Sequence, residues 1–443
     1  MSTDWAGRRL HFVGIGGAGM SGLALVAHAL GATVTGSDRA TGSPYAGPLH
    51  AAGIEPTVGH DAANVPDGAE VVVSSAIPAS NPERTAARDR GLRELHRADL
   101  LGELTRLRPT IAVSGTHGKT TTSSMLVHAL RGCGMDPGYL VGGAVRSTGA
   151  NAGWGAGEWL VVEADESDRS LLKLAPAIAV LTNAELDHHT TYASQLDVDD
   201  TFRAYLALAD RAVVVWDRPA LVALAPAGGA VPVVAFDAAP ELTPGGSRFA
   251  LDGVEVELRV PGAHNACNAA AALTAARLAG ADLAAAAAAL RDFQGAGRRF
   301  EQLGRTAEGA LVVDDYAHHP TEVAATLEAA RTLRPRRVLA VFQPHLFSRT
   351  ARQAAEFGAA LAAADAVVVL DVYPARERAE DFPGVTGLLI ARAAADAGGG
   401  RTVAWAPDLA AAEDYLRPRL GDGGLVLTLG AGDVDALGRA LVA

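Results

Sequence analysis

Short apolar runs alternate with alanine-rich stretches along most of this chain, and that alternation limits the possible folds more than any other feature. The runs at residues 10–13, 110–113, 178–181 and 338–342 are typical of buried strands. The alanine-rich stretches between such runs predict helices, because alanine has the highest intrinsic helix propensity. Strands that alternate with helices favour parallel sheets covered by helices. We therefore predict an α/β protein.

The length of the chain predicts several domains. At roughly 150 residues per domain, 443 residues correspond to about three domains. We place them at residues 1–107, 108–294 and 295–443. The first boundary lies in a linker-like segment that ends at a proline, and the second precedes a segment that contains two glycines. Each domain is expected to contain its own strands and helices.

The charge and cysteine content argue against several classes of protein. The chain carries 38 Lys and Arg against 50 Asp and Glu, a formal charge of −12, whereas nucleic-acid binders and electrostatic membrane anchors are usually basic. Two cysteines are too few for a disulfide scaffold and fit a reducing compartment. The first residues lack the apolar core of a signal peptide, and prolines interrupt the long uncharged run at 219–236. We expect a cytoplasmic protein without nucleic-acid or membrane partners.

A glycine-rich sequence, GIGGAGMSG at residues 14–22, follows the first apolar run and opens a helical stretch. Glycines at such a turn let the backbone approach a diphosphate at the helix N-terminus. Asp38 follows the next strand, about where a ribose-binding acid would lie. A tight turn without a ligand is the alternative, and the motif does not specify the nucleotide.

A second loop, GTHGKTT at residues 115–121, follows an apolar strand and predicts a phosphate-binding site. Backbone N–H groups of such a loop cradle phosphates, the lysine reaches the terminal phosphates, and the next hydroxyl binds Mg²⁺. Lys119 and Lys173 are the only lysines against 36 arginines (38 minus 2). A lysine kept in this loop is therefore expected to do what arginine cannot, whereas Lys173 is expected to be a surface or structural residue.

Polar clusters follow most of the later strands. They are residues 163–168, 182–189, 261–268, 314–322, 343–350 and 430–433. The acids of the first cluster and the acids and His188 of the second have side chains that can ligate Mg²⁺ or another metal. Solvated acids and a surface histidine pair are the alternatives for these two segments taken alone. Asn265 and Asn268 open a helix, where an asparagine is often only a cap.

Taken together, these sequences resemble the Mur ligases, and they occur in the same order along nearly the whole chain. The matching sequences are HFVGIGGAGMSG, SSAIP, SGTHGKTTT, VEADESD, TNAELDH, GAHNACNA, GAGRRF, DDYAHHPTE, VFQPHLFSRT and LGAGD. The GTHGKTT loop is shared with the wider ligase family, which includes folylpolyglutamate synthetase. The combination of GIGGAGMSG and DDYAHHPTE is similar to the members that add alanine.

The resemblance implies three α/β domains: an N-terminal Rossmann-like domain for a UDP-sugar, a central P-loop ATPase-like parallel sheet for ATP, and a C-terminal Rossmann-like domain for an amino acid. It also implies a cytoplasmic enzyme of peptidoglycan precursor synthesis, which joins L-alanine to the carboxylate of UDP-N-acetylmuramate. ATP, with two Mg²⁺ ions, would first convert that carboxylate into an acyl phosphate. The amine of L-alanine would then displace phosphate.

The resemblance further implies roles for individual residues. Lys119 would contact the ATP phosphates, Thr120 and Glu163 would bind one Mg²⁺, and His188 would bind the second. His318 and Arg349 would approach the sugar carboxylate or the alanine. The other ATP-binding residues would be Gly115, Thr116, His117, Gly118, Thr121, Asn265, Asn268, Arg299 and Asp315. The residues at the UDP-sugar would be Gly16, Gly17, Ala18, Gly19, Met20, Ser37, Asp38 and Ser75.

Two features depart from the family pattern. Many members have a basic residue where Leu346 stands, and no lysine follows Lys173 to supply the carbamylated metal ligand of related ligases. Three other functions stay open. A nicotinamide oxidoreductase would use only the first glycine turn, and a regulatory ATP-binding protein would use only the phosphate loop. A ligase that attaches recycled tripeptide to the same sugar would share the ATP chemistry.

Overall fold

The computed structural model describes residues 5–39, 42–229 and 231–442, and within these ranges the chain forms four β-sheets. The chain divides into two compact units. One consists of Met1–Asp237 with Cys267–Leu290, and the other of Ala238–Ala266 with Arg291–Ala443. Each unit contains two of the sheets. The predicted domain boundaries after residues 107 and 294 divide the chain differently from these contacts and stay predictions.

The first sheet of the first unit is built from the N-terminal residues. Its strands and helices are β1 (Arg9–Val13), α1 (Ala18–Ala29), β2 (Thr33–Asp38), α2 (Ala46–Ala51), β3 (Thr57–Val58), β4 (Glu70–Val73), α3 (Pro82–Asp89), β5 (Glu94–His96) and α4 (Arg97–Leu104). The strands are parallel in the order β3-β2-β1-β4-β5. The chain winds outward on both sides from β1, so the crevice between the carboxyl ends of β1 and β4 is the expected ligand site of such a sheet.

The second sheet follows directly along the chain. Its strands and helices are β6 (Thr110–Ser114), α5 (Lys119–Gly132), β7 (Gly138–Val145), β8 (Ala150–Gly153), β9 (Leu160–Glu163), β10 (Ile178–Leu181), α6 (Gln195–Leu206), β11 (Ala212–Trp216), α7 (Pro219–Val222) and β12 (Val233–Phe236). The order is β12-β11-β10-β6-β9-β7-β8, and β8 is antiparallel to β7. Strands β6 and β10 are buried along their whole length, as expected for central parallel strands.

The second unit combines a small antiparallel sheet with a larger, mainly parallel one. The next elements in chain order are β13 (Glu241–Thr243), β14 (Gly246–Leu251), β15 (Val254–Leu258), α8 (Ala263–Leu278), α9 (Leu283–Leu290), β16 (Glu301–Arg305), β17 (Leu311–Asp315), α10 (Pro320–Thr332), β18 (Arg337–Phe342), α11 (Phe347–Leu361), β19 (Ala366–Leu370), α12 (Gly387–Ala397), β20 (Thr402–Ala406), α13 (Leu409–Leu416), β21 (Gly424–Leu429) and α14 (Val434–Val442). Of these elements, α9 and the part of α8 from Cys267 onward belong to the first unit. The larger sheet has the order β16-β17-β21-β18-β19-β20, with β16 antiparallel.

The two sheets of the first unit share one apolar core. Helix α1 packs against β7 and β8 of the second sheet. Asn151, on β8, donates from Nδ2 to the carbonyl oxygen of Ala18 over 2.6 Å. This contact attaches the first turn of α1 to the second sheet. The glycine turn before α1 and the loop after β6 therefore belong to one packed body.

The predicted strands are confirmed at their centres and differ mainly at their ends. The run at 178–181 is a strand with those bounds, and the strands at 10–13, 110–113 and 338–342 are each longer by one residue. The sequence did not indicate the antiparallel pairs β7–β8, β13–β14 and β14–β15. Among the described residues, we find no helix with both the length and the apolar character that a membrane crossing requires.

Candidate active site

The predicted phosphate loop joins the buried strand β6 to helix α5, which begins at Lys119. Gly115 and Gly118 have φ angles of 137° and 80°, which favour glycine. A Cβ at Gly115 would lie 2.1 Å from Thr182 Oγ1. A Cβ at Gly118 would lie 2.4 Å from Asn268 Oδ1. The backbone thus turns tightly at a helix N-terminus, an arrangement that binds phosphate groups.

The segment after β10 supports this loop. The backbone N–H of His117 donates to Asn183 Oδ1 over 2.8 Å. The hydroxyl of Thr182 donates to the carbonyl of His117 over 2.6 Å. The hydroxyl of Thr116 donates to the carbonyl of Glu185 over 3.0 Å. The sequence TNAE therefore fixes the shape of the loop, a role that sequence reasoning did not give it.

Lys119 is folded back over its own loop and is paired with an acid. Its Nζ donates to the carbonyls of Gly115 and Thr116 over 2.7 and 3.0 Å. Its third partner is Glu166, whose Oε2 lies 2.8 Å away. Burial by itself lowers the pKa of Lys119, but the nearby carboxylates, with Glu166 first, outweigh burial and raise this pKa above its usual value. Lys119 is therefore charged at neutral pH.

Thr120 and Glu163 lie side by side, as the predicted magnesium site requires. The Thr120 hydroxyl donates to Glu163 Oε1 over 3.1 Å. The backbone N–H of Gly142 donates to the other oxygen, Oε2, over 2.7 Å. A Cβ at Gly142 would approach that carboxylate to 2.6 Å, so a larger residue here would displace the Glu163 side chain. A hydroxyl and a carboxylate are hard oxygen donors, which suit Mg²⁺.

His188 reaches the same region from the loop after β10. Its backbone has a φ of 52°, in the left-handed region. Its Nε2 lies 3.2 Å from Glu166 Oε1 and 3.7 Å from Asp187 Oδ2. Glu166 therefore touches both Lys119 and His188 through its two oxygens. Sequence reasoning placed this residue only within an acidic cluster and did not select it.

The glycine turn after β1 is held by its neighbours in the first sheet. The backbone N–H of Gly16 donates to Asp38 Oδ2 over 2.8 Å. The Ser43 hydroxyl donates to the Gly16 carbonyl over 2.6 Å. The carbonyl of Ser37 accepts from the N–H of Gly14 over 2.8 Å. Asp38 and Ser37 thus shape the turn, and their predicted contacts with a UDP-sugar stay predictions.

A cavity of about 330 Å³ lies between the glycine turn and the central sheet. Its lining includes Gly17, Ala18, Gly19, Met20, Ser74, Arg97, Gly142, Glu163 and Asp165. Arg97 Nη2 lies 2.9 Å from Asp168 Oδ2 and 3.2 Å from Asp165 Oδ2. Ser75, which was predicted to contact the sugar, is exposed, and its neighbour Ser74 lines the cavity instead. Arg97 and Ser74 were not predicted.

Two of the predicted residues of the second unit lie near the ends of two strands of its larger sheet: Arg299 precedes β16, and Asp315 is the last residue of β17. Asp315 accepts hydrogen bonds from the backbone N–H groups of Phe300 and Ala317 over 2.7 and 2.8 Å. Burial raises its pKa to about 6, although Arg299 and the two N–H groups act in the opposite direction. The Arg299 guanidinium lies 4.7 Å from the centre of the Tyr316 ring. Asp315 and Arg299 therefore lie close enough for their charges to interact.

His318 and Arg349 are brought together through a residue that was not predicted. His345 lies with its ring centre 6.0 Å from that of His318. The Nδ1 atom of His345 is 3.3 Å from Arg349 Nη1. Tyr373 stacks on the other side of His345, also at 6.0 Å. Arg349 is buried, with 3% of its surface exposed, so this charge is held inside a largely aromatic cluster.

Asn265 and Asn268 both lie in the first turns of α8, as predicted. The Asn265 Nδ2 donates to the carbonyl of Pro261 over 2.7 Å, which stabilises the start of the helix. Asn268 lies against Gly118 of the phosphate loop. Sequence reasoning could find both asparagines from their spacing, but it could not separate these two environments.

Family models match almost the entire chain. The model of the Mur ligase family catalytic domain matches residues 9–108, the Mur ligase middle domain matches residues 113–276, and the Mur ligase glutamate ligase domain matches residues 298–432. These three matches, together with the three parallel-rich sheets, confirm the predicted class of three α/β domains.

Individual relatives agree over the same length. The UDP-N-acetylmuramate–L-alanine ligase of Renibacterium salmoninarum is 46% identical over 98% of this chain and 95% of its own. That of Kineococcus radiotolerans is 47% identical over 97% and 94%. Among solved structures, the UDP-N-acetylmuramate-alanine ligase of Thermotoga maritima has a TM-score of 0.83 at 29% identity, with 98% of each chain covered. A murein peptide ligase from Psychrobacter arcticus has a TM-score of 0.74 at 25% identity, also with 98% of each chain covered.

Proposed function

This chain belongs to the Mur ligase family, and we propose that it uses ATP to join L-alanine to the carboxylate of UDP-N-acetylmuramate in peptidoglycan precursor synthesis. One observation carries the proposal. Glu163 lines the cavity beside the glycine turn and also accepts a hydrogen bond from Thr120 of the phosphate loop. A nucleotide-sugar on the turn can therefore extend to the place where ATP would present its terminal phosphate.

The reaction needs an activated carboxylate, because a free carboxylate is a poor electrophile. A sugar carboxylate oxygen attacks the γ-phosphorus of ATP, the bond from that phosphorus to the bridging oxygen breaks, and ADP leaves. The amine of L-alanine then attacks the acyl carbon, phosphate departs with the bonding electrons, and the amine loses its proton. Positioning and neutralisation of charge supply most of the rate acceleration in such transfers.

Residues of the first unit supply that neutralisation. Lys119 and the N-terminus of α5 would bind the ATP phosphates, and Arg97 and the N-terminus of α1, which line the cavity, would bind the diphosphate of the sugar nucleotide. Thr120 and Glu163 would hold one Mg²⁺, and His188 would hold a second. When bound, these ions draw charge from the transferring phosphoryl group. Asn268 lies beside the loop at the nucleotide.

The second unit contains the groups proposed for the amino acid and two further residues, Arg299 and Asp315, proposed as ATP contacts. The Arg349 guanidinium binds a carboxylate, and His318 lies next in the same aromatic cluster. Arg299 and Asp315 contact ATP, and Asn265 fixes the start of α8. Leu346, with 6% of its surface exposed, offers no charge to that site. We therefore propose that Arg349 binds the carboxylate without the second basic residue that many members of the family have at the position of Leu346.

The decisive experiment mixes the purified chain with ATP, Mg²⁺, UDP-N-acetylmuramate and single amino acids, and follows ADP and phosphate together with the mass of the nucleotide product. We expect release of ADP and phosphate in equal amounts with L-alanine. Turnover with a tripeptide and none with L-alanine would assign the recycling ligase instead. Binding of NADH without any turnover of ATP would favour an oxidoreductase.

A further inference from the structure

Glu166 differs from the other acids of its loop in what its carboxylate touches. Asp165 and Asp168 pair with Arg97, and Glu163 accepts from Thr120 and Gly142. Glu166 has only 2% of its surface exposed, and among the described residues neither of its oxygens accepts a hydrogen bond from a backbone N–H or a hydroxyl. Its two oxygens make polar contacts only with the side chains of Lys119 and His188 among the described residues.

Those two side chains are the ones that the proposed reaction uses. Glu166 Oε2 lies 2.8 Å from Lys119 Nζ, and Oε1 lies 3.2 Å from His188 Nε2. Lys119 also donates to two carbonyls of its own loop, Gly115 and Thr116. In this arrangement the lysine is turned toward the protein, and its charge is already neutralised. Phosphates can use that charge only after the pair with Glu166 opens.

Opening the pair leaves a buried carboxylate that needs another cation. A buried charge without a partner is costly, because the protein interior does not replace the hydration that the charge has lost. His188 is the remaining neighbour, and a histidine that ligates a metal is neutral. A divalent cation held between His188 and Glu166 would restore the balance with two ligands that are already in contact.

We propose that Glu166 exchanges Lys119 for a divalent cation when ATP binds, so that the pairing in the empty loop becomes a metal site shared with His188. This inference rests on the proposed ATP-dependent function and adds a ligand and an order of events to it. In the empty state Glu166 holds the lysine and opposes nucleotide binding without metal. In the loaded state the same carboxylate binds the metal, so ATP and the second ion favour each other.

Glu166→Gln separates these two effects, because the amide can neither pair with Lys119 nor attract a cation strongly. The first measurement is calorimetric binding of ATP to the full chain in EDTA. The variant should bind metal-free ATP at least threefold more tightly than the unmodified chain. The second measurement counts Mn²⁺ ions by electron paramagnetic resonance in the presence of a non-hydrolysable ATP analogue. The unmodified chain should bind two ions and the variant one.

The loop also offers a matched control. Asp168→Asn removes an acid two positions away that pairs with Arg97, and it should change neither measurement. Should the glutamine variant fail to fold, Glu166→Asp is measured in both assays. The shorter acid cannot contact Lys119 and His188 at once, so it should also tighten metal-free ATP binding and weaken binding of the second Mn²⁺, each to a smaller extent.

The exchange requires both changes, so a Glu166 variant that shows only one of them, or neither, overturns it. Absence of ATP binding by the unmodified chain, with or without Mn²⁺, would instead overturn the proposed function. Binding of ATP and one Mn²⁺ by both proteins would leave the ligase proposal standing and would remove Glu166 from the metal site.

Discussion

Replacing Lys119 with methionine should destabilise the first unit, because it leaves the Glu166 carboxylate buried beside an apolar side chain. The two charged atoms are 2.8 Å apart, with 15% and 3% of the side chains exposed. At an effective dielectric constant of about 20, their attraction is about 6 kcal/mol before the cost of desolvation. Removal of one partner from such a buried pair typically costs about 3–5 kcal/mol, and we expect a loss of this size.

The other lysine of the chain is the control. Lys173 lies 2.6 Å from Asp99, but 47% and 44% of these side chains are exposed. An exposed pair of this kind contributes less than about 1 kcal/mol, so Lys173→Met should have little effect. Replacing Lys119 and Glu166 together with methionine and glutamine should recover most of the lost stability, because no uncompensated charge then remains.

Unfolding by urea, followed through tryptophan fluorescence in metal-free buffer, measures these differences. Four of the five tryptophans lie in the first unit, namely Trp5, Trp154, Trp159 and Trp216. The signal therefore reports mainly on the unit that contains the mutations. A loss below about 1 kcal/mol for Lys119→Met would refute this reasoning, and so would a double variant as unstable as the single one.

Three further results are expected. Lys119→Arg should lower kcat for ADP release at least about 100-fold, because a forked guanidinium cannot replace the compact ammonium, and steady-state kinetics measure this loss. The same variant should bind UDP as tightly as the unmodified chain does in calorimetry. Arg97→Gln should weaken UDP binding about tenfold in calorimetry, because a charged hydrogen bond contributes about 1.5–3 kcal/mol, whereas Asp168→Asn should not. Burial raises the pKa of Asp315 to about 6, so the stability this group contributes is complete below its ordinary pKa near 3.8 and is lost as pH rises through 6. Urea unfolding of a variant whose other four tryptophans are replaced by phenylalanine, followed at Trp405, should show a decrease of up to about 3 kcal/mol over that range, which Asp315→Asn should flatten.

The sequence predicted the central strands well because their signal is local. Strands such as β10 and β19 are short apolar runs, with Pro176 and Thr182 near the ends of the first and Asp365 and Asp371 at the ends of the second. Their short length favours buried parallel strands. The antiparallel hairpins were missed because their exposed faces interrupt the apolar run. In β14 the buried and exposed residues alternate, and one strand is too short for that alternation to be distinguished from a loop.

The residues of the candidate site also fall into those that local sequence predicts and those that only long-range contacts reveal. Glu163 ends β9, and Lys119 and His188 lie in the segments after β6 and β10, so the rule that polar residues gather at the carboxyl ends of a parallel sheet predicted these clusters. The resemblance to the Mur ligases was needed to select Glu163 and His188 as metal ligands. Arg97 contacts Asp168 across 71 positions of the chain. Glu166 was hidden for another reason, since three other acids stand within three residues of it. Only the packed structure shows which acid faces the lysine.

The charges around the cavity of the first unit give it a direction. The N-terminus of α1 and Arg97 make one part of the lining electropositive, although Asp165 pairs with Arg97 over 3.2 Å, and Glu163 contributes a negative charge elsewhere in the lining. A diphosphate is attracted to the electropositive part and repelled by Glu163, so a ligand with a diphosphate at one end and a carboxylate at the other is oriented before any specific contact forms. Its carboxylate can approach Glu163 only when a cation there screens two negative charges. Because Glu163 also contacts Thr120 of the phosphate loop, the carboxylate proposed to orient the sugar is also the proposed metal ligand. Activation of the carboxylate is thereby restricted to the moment when sugar, metal and nucleotide are all in place.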